Sequence, residues 1–234
     1  YRFTPQVKAV AAARLDRSTI HESQVSPKLA LVYSPTANHT FRVTYNRAFQ
    51  APNYSELFLS VLHPLRALAY FGNNLLKVEK IGGLEFGYKG ILNSSAFITF
   101  DAYYNELSDF ITDLTPGANP AYRGQELING QLRTVWSYGN AGKVTETGME
   151  VGANYYFSDA WSLNVNYAYF DFSIIEQSQG DPIQPNSPRH KMNGTLTYRS
   201  GGRFEGSVGV KAVPSFDWAA GIYQGRILAY TLVN

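Results

Sequence analysis

Carboxylates are the first side chains to weigh for chemistry. Glu79, Glu85 and Glu150 are of the type that serves as general acid, base or nucleophile when two of them flank one reacting bond. Here they fall on three separate alternating segments, with no Ser/His/Asp order around them. A solvated or ion-paired wall is the better reading, and no catalysis is expected. His21, His39, His63 and His190 lack the spacing that lets histidines share a metal. The chain has no cysteine, so thiolate ligands and disulfides are excluded. "GGLEFG" and "GVKAVPSFDWAAG" lack the strand-to-helix setting of a phosphate loop. No metal and no cofactor are expected.

A second set of side chains is suited to binding. Tyr54, Phe58, His63, Arg66, Tyr70 and Phe71 fall within 49–76, and Tyr122, Arg123 and Gln125 within 108–133, with Trp136 just beyond. Aromatic rings give large contact area at small entropic cost, and Arg grips carboxylate or phosphate with two hydrogen bonds. These residues either line a ligand vestibule or pack the two segments on each other. Pro52 stands beside them, and its plainer role is to stop a strand, because proline cannot donate to a ladder.

The elements that position these residues are strands. "ETGMEVGANYYFSDAWSLNVNYAYFDF" (146–172) alternates in two runs about the short break Ser158–Ala160, a hairpin of two strands longer than is usual in globular proteins. Period-2 alternation predicts strands at 7–16, 24–33, 39–48, 77–89, 94–107, 134–157, 161–173, 189–199, 203–213 and 227–234. "SYGNAGKVTE" sits within the sixth as a possible loop margin, and "LFLSVLHPLRALAYF" (57–71) reads as loop with room for a short helix. No stretch of about 20 apolar residues is present, so no transmembrane helix is encoded. No signal peptide opens the sequence. With its first strand near the start and its last running into the end, the chain reads as a piece of something longer, a single β segment over 1–234 without a plug domain.

The connections carry more information than the strands. Short ones ("SPTAN", "GILN", "SDA", "SGG") alternate with long ones at 17–23, 49–76, 108–133, 174–188 and 214–226. An up-and-down barrel in an outer membrane sorts its connections this way, with short periplasmic turns and long extracellular loops. Aromatic residues flank every short turn, at Tyr33, Tyr88, Phe157 with Trp161, and Tyr198, where an interfacial girdle would lie. One face of the alternation is apolar: Leu29, Leu31, Phe41, Val43, Tyr45, Leu84, Phe86, Ile98, Phe100, Ala102, Leu163, Val165, Val208 and Val210. The other holds Arg42, Thr44, Glu85, Thr99, Asp101, Glu150, Asn154, Asn164, Asn166, Lys191, Asn193, Thr195, Glu205 and Lys211. Small soluble barrels put the apolar face inside. Here the apolar face meets lipid and the polar face a wet or plugged lumen. Composition agrees: 44% hydrophobic residues with a mean hydropathy of −0.22, and 17 tyrosines. A net charge of +2 without a Lys/Arg run argues against a nucleic-acid partner.

Four stretches carry a family likeness. "YNRAFQAPNYSELF" (45–58), with Arg47, Ala48, Phe49, Ala51 and Pro52, resembles the strand-to-loop segment of TonB-dependent receptors. "NNLLKVEKIGGLEFGYKG" (73–90) is similar to the family's next strand through Asn74, Leu76, Glu79, Glu85, Gly87, Tyr88 and Lys89. "YGNAGKVTETGMEVGANYYF" (138–157) supplies Asn140, Gly142, Gly148 and Glu150, and "NSPRHKMNGTLTY" (186–198) the Pro-Arg-His segment with Arg189. The resemblance implies the distal part of a 22-stranded outer-membrane barrel with a plugged lumen, of which about ten strands lie in this chain. It also implies uptake of a scarce solute (siderophore, metal chelate, cobalamin or oligosaccharide) with a plug and the TonB complex as partners. A passive porin-like channel and a soluble β-sheet binding or adhesion module are the alternatives, and an enzyme stands behind both.

Overall fold

The computed structural model describes residues 1–122, 124–176, 183–202, 204–220 and 223–234. Arg123 lies outside the described residues. Strands β1 (Val7–Asp16), β2 (Gln24–Thr36) and β3 (His39–Gln50) open the chain. Helix α1 (Tyr54–Phe58) and strands β4 (Ser60–Leu62) and β5 (Leu68–Phe71) follow, then β6 (Glu79–Asn93) and β7 (Ala96–Ile111). Next come β8 (Thr115–Pro116), β9 (Gln125–Ile128) and β10 (Gln131–Ser137), then the long pair β11 (Asn140–Tyr156) and β12 (Trp161–Glu176). The chain continues through β13 (His190–Ser200), β14 (Phe204–Val213), β15 (Phe216–Ala220), β16 (Tyr223–Ile227) and β17 (Tyr230–Val233).

Ten of these strands form one antiparallel sheet in the order β1-β2-β3-β6-β7-β11-β12-β13-β14-β17. Among the described residues it does not close; β1 and β17 are its edges. Each wall strand pairs with the next wall strand in the chain, which is the up-and-down arrangement read from the sequence. The short turns gather at one end and the long connections at the other. Two expectations are corrected. The predicted strand 134–157 is two strands in different sheets, β10 and β11, parted at Tyr138–Gly139. A Cβ on Gly139 would strike the Ala118 carbonyl, so the backbone turns where another segment is packed against it. The predicted strand 227–234 is also divided: Ile227 ends β16, which pairs with β15, and only β17 continues the wall.

Register shows how the two faces differ. Leu31, Val43, Phe86, Ala102, Met149 and Tyr169 stand side by side across six strands. Directly paired residues share a face, so this row belongs to the apolar side, where Leu84 is 52% exposed and, farther round, Val208 59%. One residue along, the row reads Arg42, Gly87, Asp101, Glu150, Ala168, Lys191. Arg42 donates to Glu85 and to Asp101. Farther round the same face, Asn164 donates to Asn154 at 2.7 Å, and Asn166 to Asn164 and Asn193 at 2.6 and 2.9 Å. On the polar face these amides and charges thus pair with one another along the wall.

Aromatic pairs mark the short-turn end, with ring centroids 4.9 Å apart for Phe41–Tyr88 and Tyr155–Phe157 and 4.8 Å for Trp161–Tyr198. The buried apolar residues lie elsewhere. Leu57, Ala69, Leu76, Val78, Val135, Ala141, Val144 and Val213 all sit at the long-loop end. A wall one strand thick leaves no interior between layers, so the buried apolar side chains gather where the long connections stack.

Candidate functional site

The connections 51–78 and 112–139 do not remain loops. They build one small sheet in which β5 and β10 run parallel, with Leu68 opposite Thr134 and Tyr70 opposite Trp136. β4 extends it beyond β5, while β8 and β9 both pair with β10. Alternation splits its side chains. Ala69, Val135 and Ser137 are buried on one face, and register aligns Val61, Tyr70, Trp136 and Pro116 on the other. The segments read as loops therefore lie at one end of the wall, as expected, but as a shared ordered layer.

This layer sorts the candidate binding residues into separate groups. The Tyr54 and Phe58 rings meet at a tilt on α1, centroids 4.9 Å apart, and are exposed. Asn53 caps that helix, accepting the Glu56 N–H while the Glu56 carboxylate accepts the Asn53 N–H. Tyr70 and Trp136 are neighbours on one face of the small sheet, whereas Phe71 belongs to the other face and meets Tyr122 at 5.4 Å. Gln125 is an exposed strand residue paired with Thr134. His63 Nδ1 accepts the N–H groups of Leu65 and Arg66 at 3.1 and 3.0 Å and so shapes the tip, leaving the Arg66 side chain exposed.

Arg133 was not singled out by sequence. Its Nη1 donates to the carbonyls of His63, Arg66 and Leu68 at 3.2, 3.2 and 3.3 Å, clamping the tip of one connection to a strand of the other. The signal was faint: one cation in the alternating run "QLRTVWS".

The family-motif residues act at the strand ends. Glu79 accepts the Ile111 N–H at 2.8 Å, tying β6 to the end of β7. Asn140 accepts the Lys77 N–H at 2.8 Å and donates to the carbonyls of Lys77 and Asp109 at 3.1 and 2.6 Å. Asn73 donates to the Tyr138 carbonyl at 2.9 Å, a further tie between the two connections. Burial pushes the Tyr138 phenol up, and the Glu56 and Asp113 carboxylates add to the shift, so the ring stays neutral there. Pro52 is buried just beyond the end of β3. Phe49 lies 5.7 Å from the His21 ring and 5.9 Å from the Arg14 guanidinium, while Arg47 is exposed and pairs with Gly82. Gly148 lies under the Tyr103 ring, which would have to move to admit a side chain, and Glu150 stands beside Asp101 in the polar row. Arg189 pairs with Asp171 at 2.9 Å.

A chamber of about 620 Å³ opens at the long-loop end among Phe170, Phe172, Ile174, Pro185 and Phe216. A second, of about 300 Å³, adjoins it through Phe172, Ile183 and Pro185 and reaches Phe110. Phe170, Phe172 and Ile174 share the parity of Asn164 and Asn166, so they continue the polar face of β12 as an apolar patch. Segment 183–187 lies over this patch. It is held by Asn186, whose amide donates to the Ala219 carbonyl at 2.8 Å and accepts the Ala219 N–H at 2.9 Å.

A family model described as TonB dependent receptor-like, beta-barrel, matches residues 1–234. The chain belongs to this family, whose members are receptors and transporters of the Gram-negative outer membrane. Among solved structures, a variant of the ferric enterobactin receptor PfeA from Pseudomonas aeruginosa superposes with a TM-score of 0.75 at 16% identity, over 99% of this chain and 34% of that one. The siderophore receptor PirA from Acinetobacter baumannii gives 0.71 at 16% identity, over 99% and 37%. The copper transporter OprC gives 0.71 at 17%, over 99% and 37%. This chain thus spans about a third of each of these structures. A search of curated protein sequences finds no match.

Proposed function

We propose that residues 1–234 form one segment of a larger outer-membrane receptor barrel. The short turns face the periplasm and the fused loop layer faces outward, where it meets a scarce solute before energised uptake through TonB. The observation that supports this best is the inverted wall, apolar on the lipid side and polar on the lumen side, in a chain that matches the receptor-barrel family throughout. The plug and the TonB complex are the partners such uptake requires, with outer-membrane lipid around the wall. Solved neighbours are named for ferric enterobactin, siderophores and copper, and a metal chelate is the solute class this supports.

The test is solute affinity in the intact receptor after Arg66→Ala, Tyr122→Ala and Arg123→Ala, with folding followed by heat-modifiable gel migration. At least tenfold weaker binding in one folded variant is expected. Parent-like affinity in all three would make the fused layer scaffold alone. Uptake that persists after the proton gradient is collapsed would favour a passive channel instead.

A further inference from the structure

We infer that Arg47 and Lys80 hold the phosphate of a lipid against the apolar side of the wall, with its acyl chains lying on the rows below. The inference rests on the receptor reading, which turns this side to the bilayer, and adds to it a lipid of stated headgroup chemistry at a stated place. Register sets the residues of this side in rows about 7 Å apart. Nearest the long loops the row reads Phe49, Lys80, Ser108, Lys143. The next reads Arg47, Gly82, Glu106, Thr145, and the third Tyr45, Leu84, Tyr104, Thr147, Asp171. Then comes the apolar row of Val43, Phe86, Ala102 and Met149. From that row to the short turns, no Lys, Arg, Asp or Glu has this parity among the described wall residues. The short-turn end is finished with aromatic rings alone. Two equivalent water boundaries would not produce that difference, whereas an anionic lipid on one side of the bilayer would.

The charges of this band are not alike. Lys143 Nζ lies 2.9 Å from Glu106 and stands opposite Glu176 in the ladder, and Arg189 holds Asp171 at 2.9 Å. Arg47 and Lys80 have no ion-pair partner among the described residues. They are diagonal neighbours on β3 and β6, about 7–8 Å apart, a spacing that lets two long side chains converge on one oxyanion. Ser108 stands opposite Lys80 and offers a hydroxyl. Gly82, opposite Arg47, has nothing within 4 Å of the place a Cβ would take, so the surface between the two cations is open. Directly below, Tyr45, Leu84 and Phe86 are 43%, 52% and 39% exposed, a continuous apolar track. Acyl chains laid along it remove apolar surface from other contacts without breaking any polar one. A free anion would use the cations and leave the track unused, so the arrangement fits a phosphate joined to chains.

The test uses the full-length receptor in a neutral maltoside detergent, with binding followed by native mass spectrometry and folding by heat-modifiable gel migration. Three probes separate head from chain: dioleoyl phosphatidic acid, dioleoylglycerol and inorganic phosphate. Saturable binding of the phosphatidic acid is expected, at least fivefold tighter than the diacylglycerol, with none of inorganic phosphate at the same concentration. Arg47→Gln combined with Lys80→Gln should weaken it at least fivefold, and Arg47→Lys, which keeps the charge, should retain most of it. Lys89→Gln combined with Lys191→Gln, on the polar face, should match the parent. Equal binding of the two lipids, comparable binding of inorganic phosphate, or parent-like binding in the folded Arg47/Lys80 variant would overturn the inference, while energised solute uptake by the parent left the receptor reading standing. Phosphate-selective lipid binding that depends on Arg47 and Lys80, in a receptor that takes up no solute, would support the lipid site and count against the receptor reading.

Discussion

Arg42 on β3 and Asp101 on β7 meet across a strand to which neither belongs. The guanidinium Nη2 lies 3.3 Å from Asp101 Oδ1 and also holds Glu85, and the residue between them in the row is Gly87. A Cβ on Gly87 would stand 2.7 Å from Asp101 Oδ1 and 3.3 Å from the Arg42 guanidinium. The absence of a side chain at one position makes a three-strand charge cluster possible.

Gly87→Leu should therefore break the bridge and crowd its ends. A loss of about 1 kcal/mol is expected, since the displaced groups are the ends of partly exposed side chains that can swing aside. Arg42→Ala and Asp101→Ala should each cost about 1 kcal/mol or less, since both groups are partly exposed. Urea unfolding of the intact receptor in detergent reads all three. A harmless Gly87→Leu would show that Arg42 does not depend on the open path.

Polarity of the wall gives a second comparison. Arg placed at Phe100 or Val165, on the apolar face, should cost about 2–4 kcal/mol if it lies near the bilayer midplane. Arg at Thr99 or Asn164, one residue away on the polar face, should cost well under half as much. Equal losses on the two faces would contradict the assignment of lipid and lumen.

Asn140 bonds both peptide groups of Lys77 and the carbonyl of Asp109. Asn140→Ala leaves these groups without that partner at a cost of ~1–3 kcal/mol for each one that water cannot reach. The loss should fall on the loop layer and not on the wall. Amide exchange should quicken within 72–78 and 109–112 while 146–154 keeps its protection. Uniform quickening would mean that the layer and the wall unfold together.

Arg133 makes a proteolytic prediction. Arg133→Met removes the donor shared by the carbonyls of His63, Arg66 and Leu68. The exposed tip should then be cut after Arg66 by trypsin at least tenfold faster than in the parent, with barrel migration unchanged. A rate like the parent's would show that the His63 bonds alone hold the turn.

These contacts also show which parts of the molecule could be read from the chain. The wall was legible because each strand is apolar on one face and polar on the other, and alternation in 146–172 records both. The break at Tyr138–Asn140 was not, because residues 134–137 alternate like a wall strand while their partners are Leu68–Phe71. Arg133 was obscure for a different reason: its acceptors are backbone carbonyls, which leave no mark on the side-chain pattern. Tyr54, Tyr70, Phe71, Tyr122 and Trp136 were legible as aromatic residues of the right segments, but their division among separate faces depends on a parallel pairing that no local signal announces. Phe170 and Phe172 looked like the end of a strand, and only the folding of 183–187 over them makes a chamber.

The fused loop layer also sets an order of assembly. Hairpin contacts in the wall join near neighbours, Arg199 to Glu205 six residues apart and Asn164 to Asn154 ten apart. The layer depends on partners such as Gly72 and Ser137, 65 residues apart, with the β6–β7 hairpin between them. Closing that long span is costly until the intervening hairpin has brought the two segments together. Loop-closure cost therefore favours pairing of β6, β7 and β11 before β5 meets β10. On this reasoning the wall takes shape before the long-loop end does, and the surface that the two fused connections present is the part whose formation is most delayed.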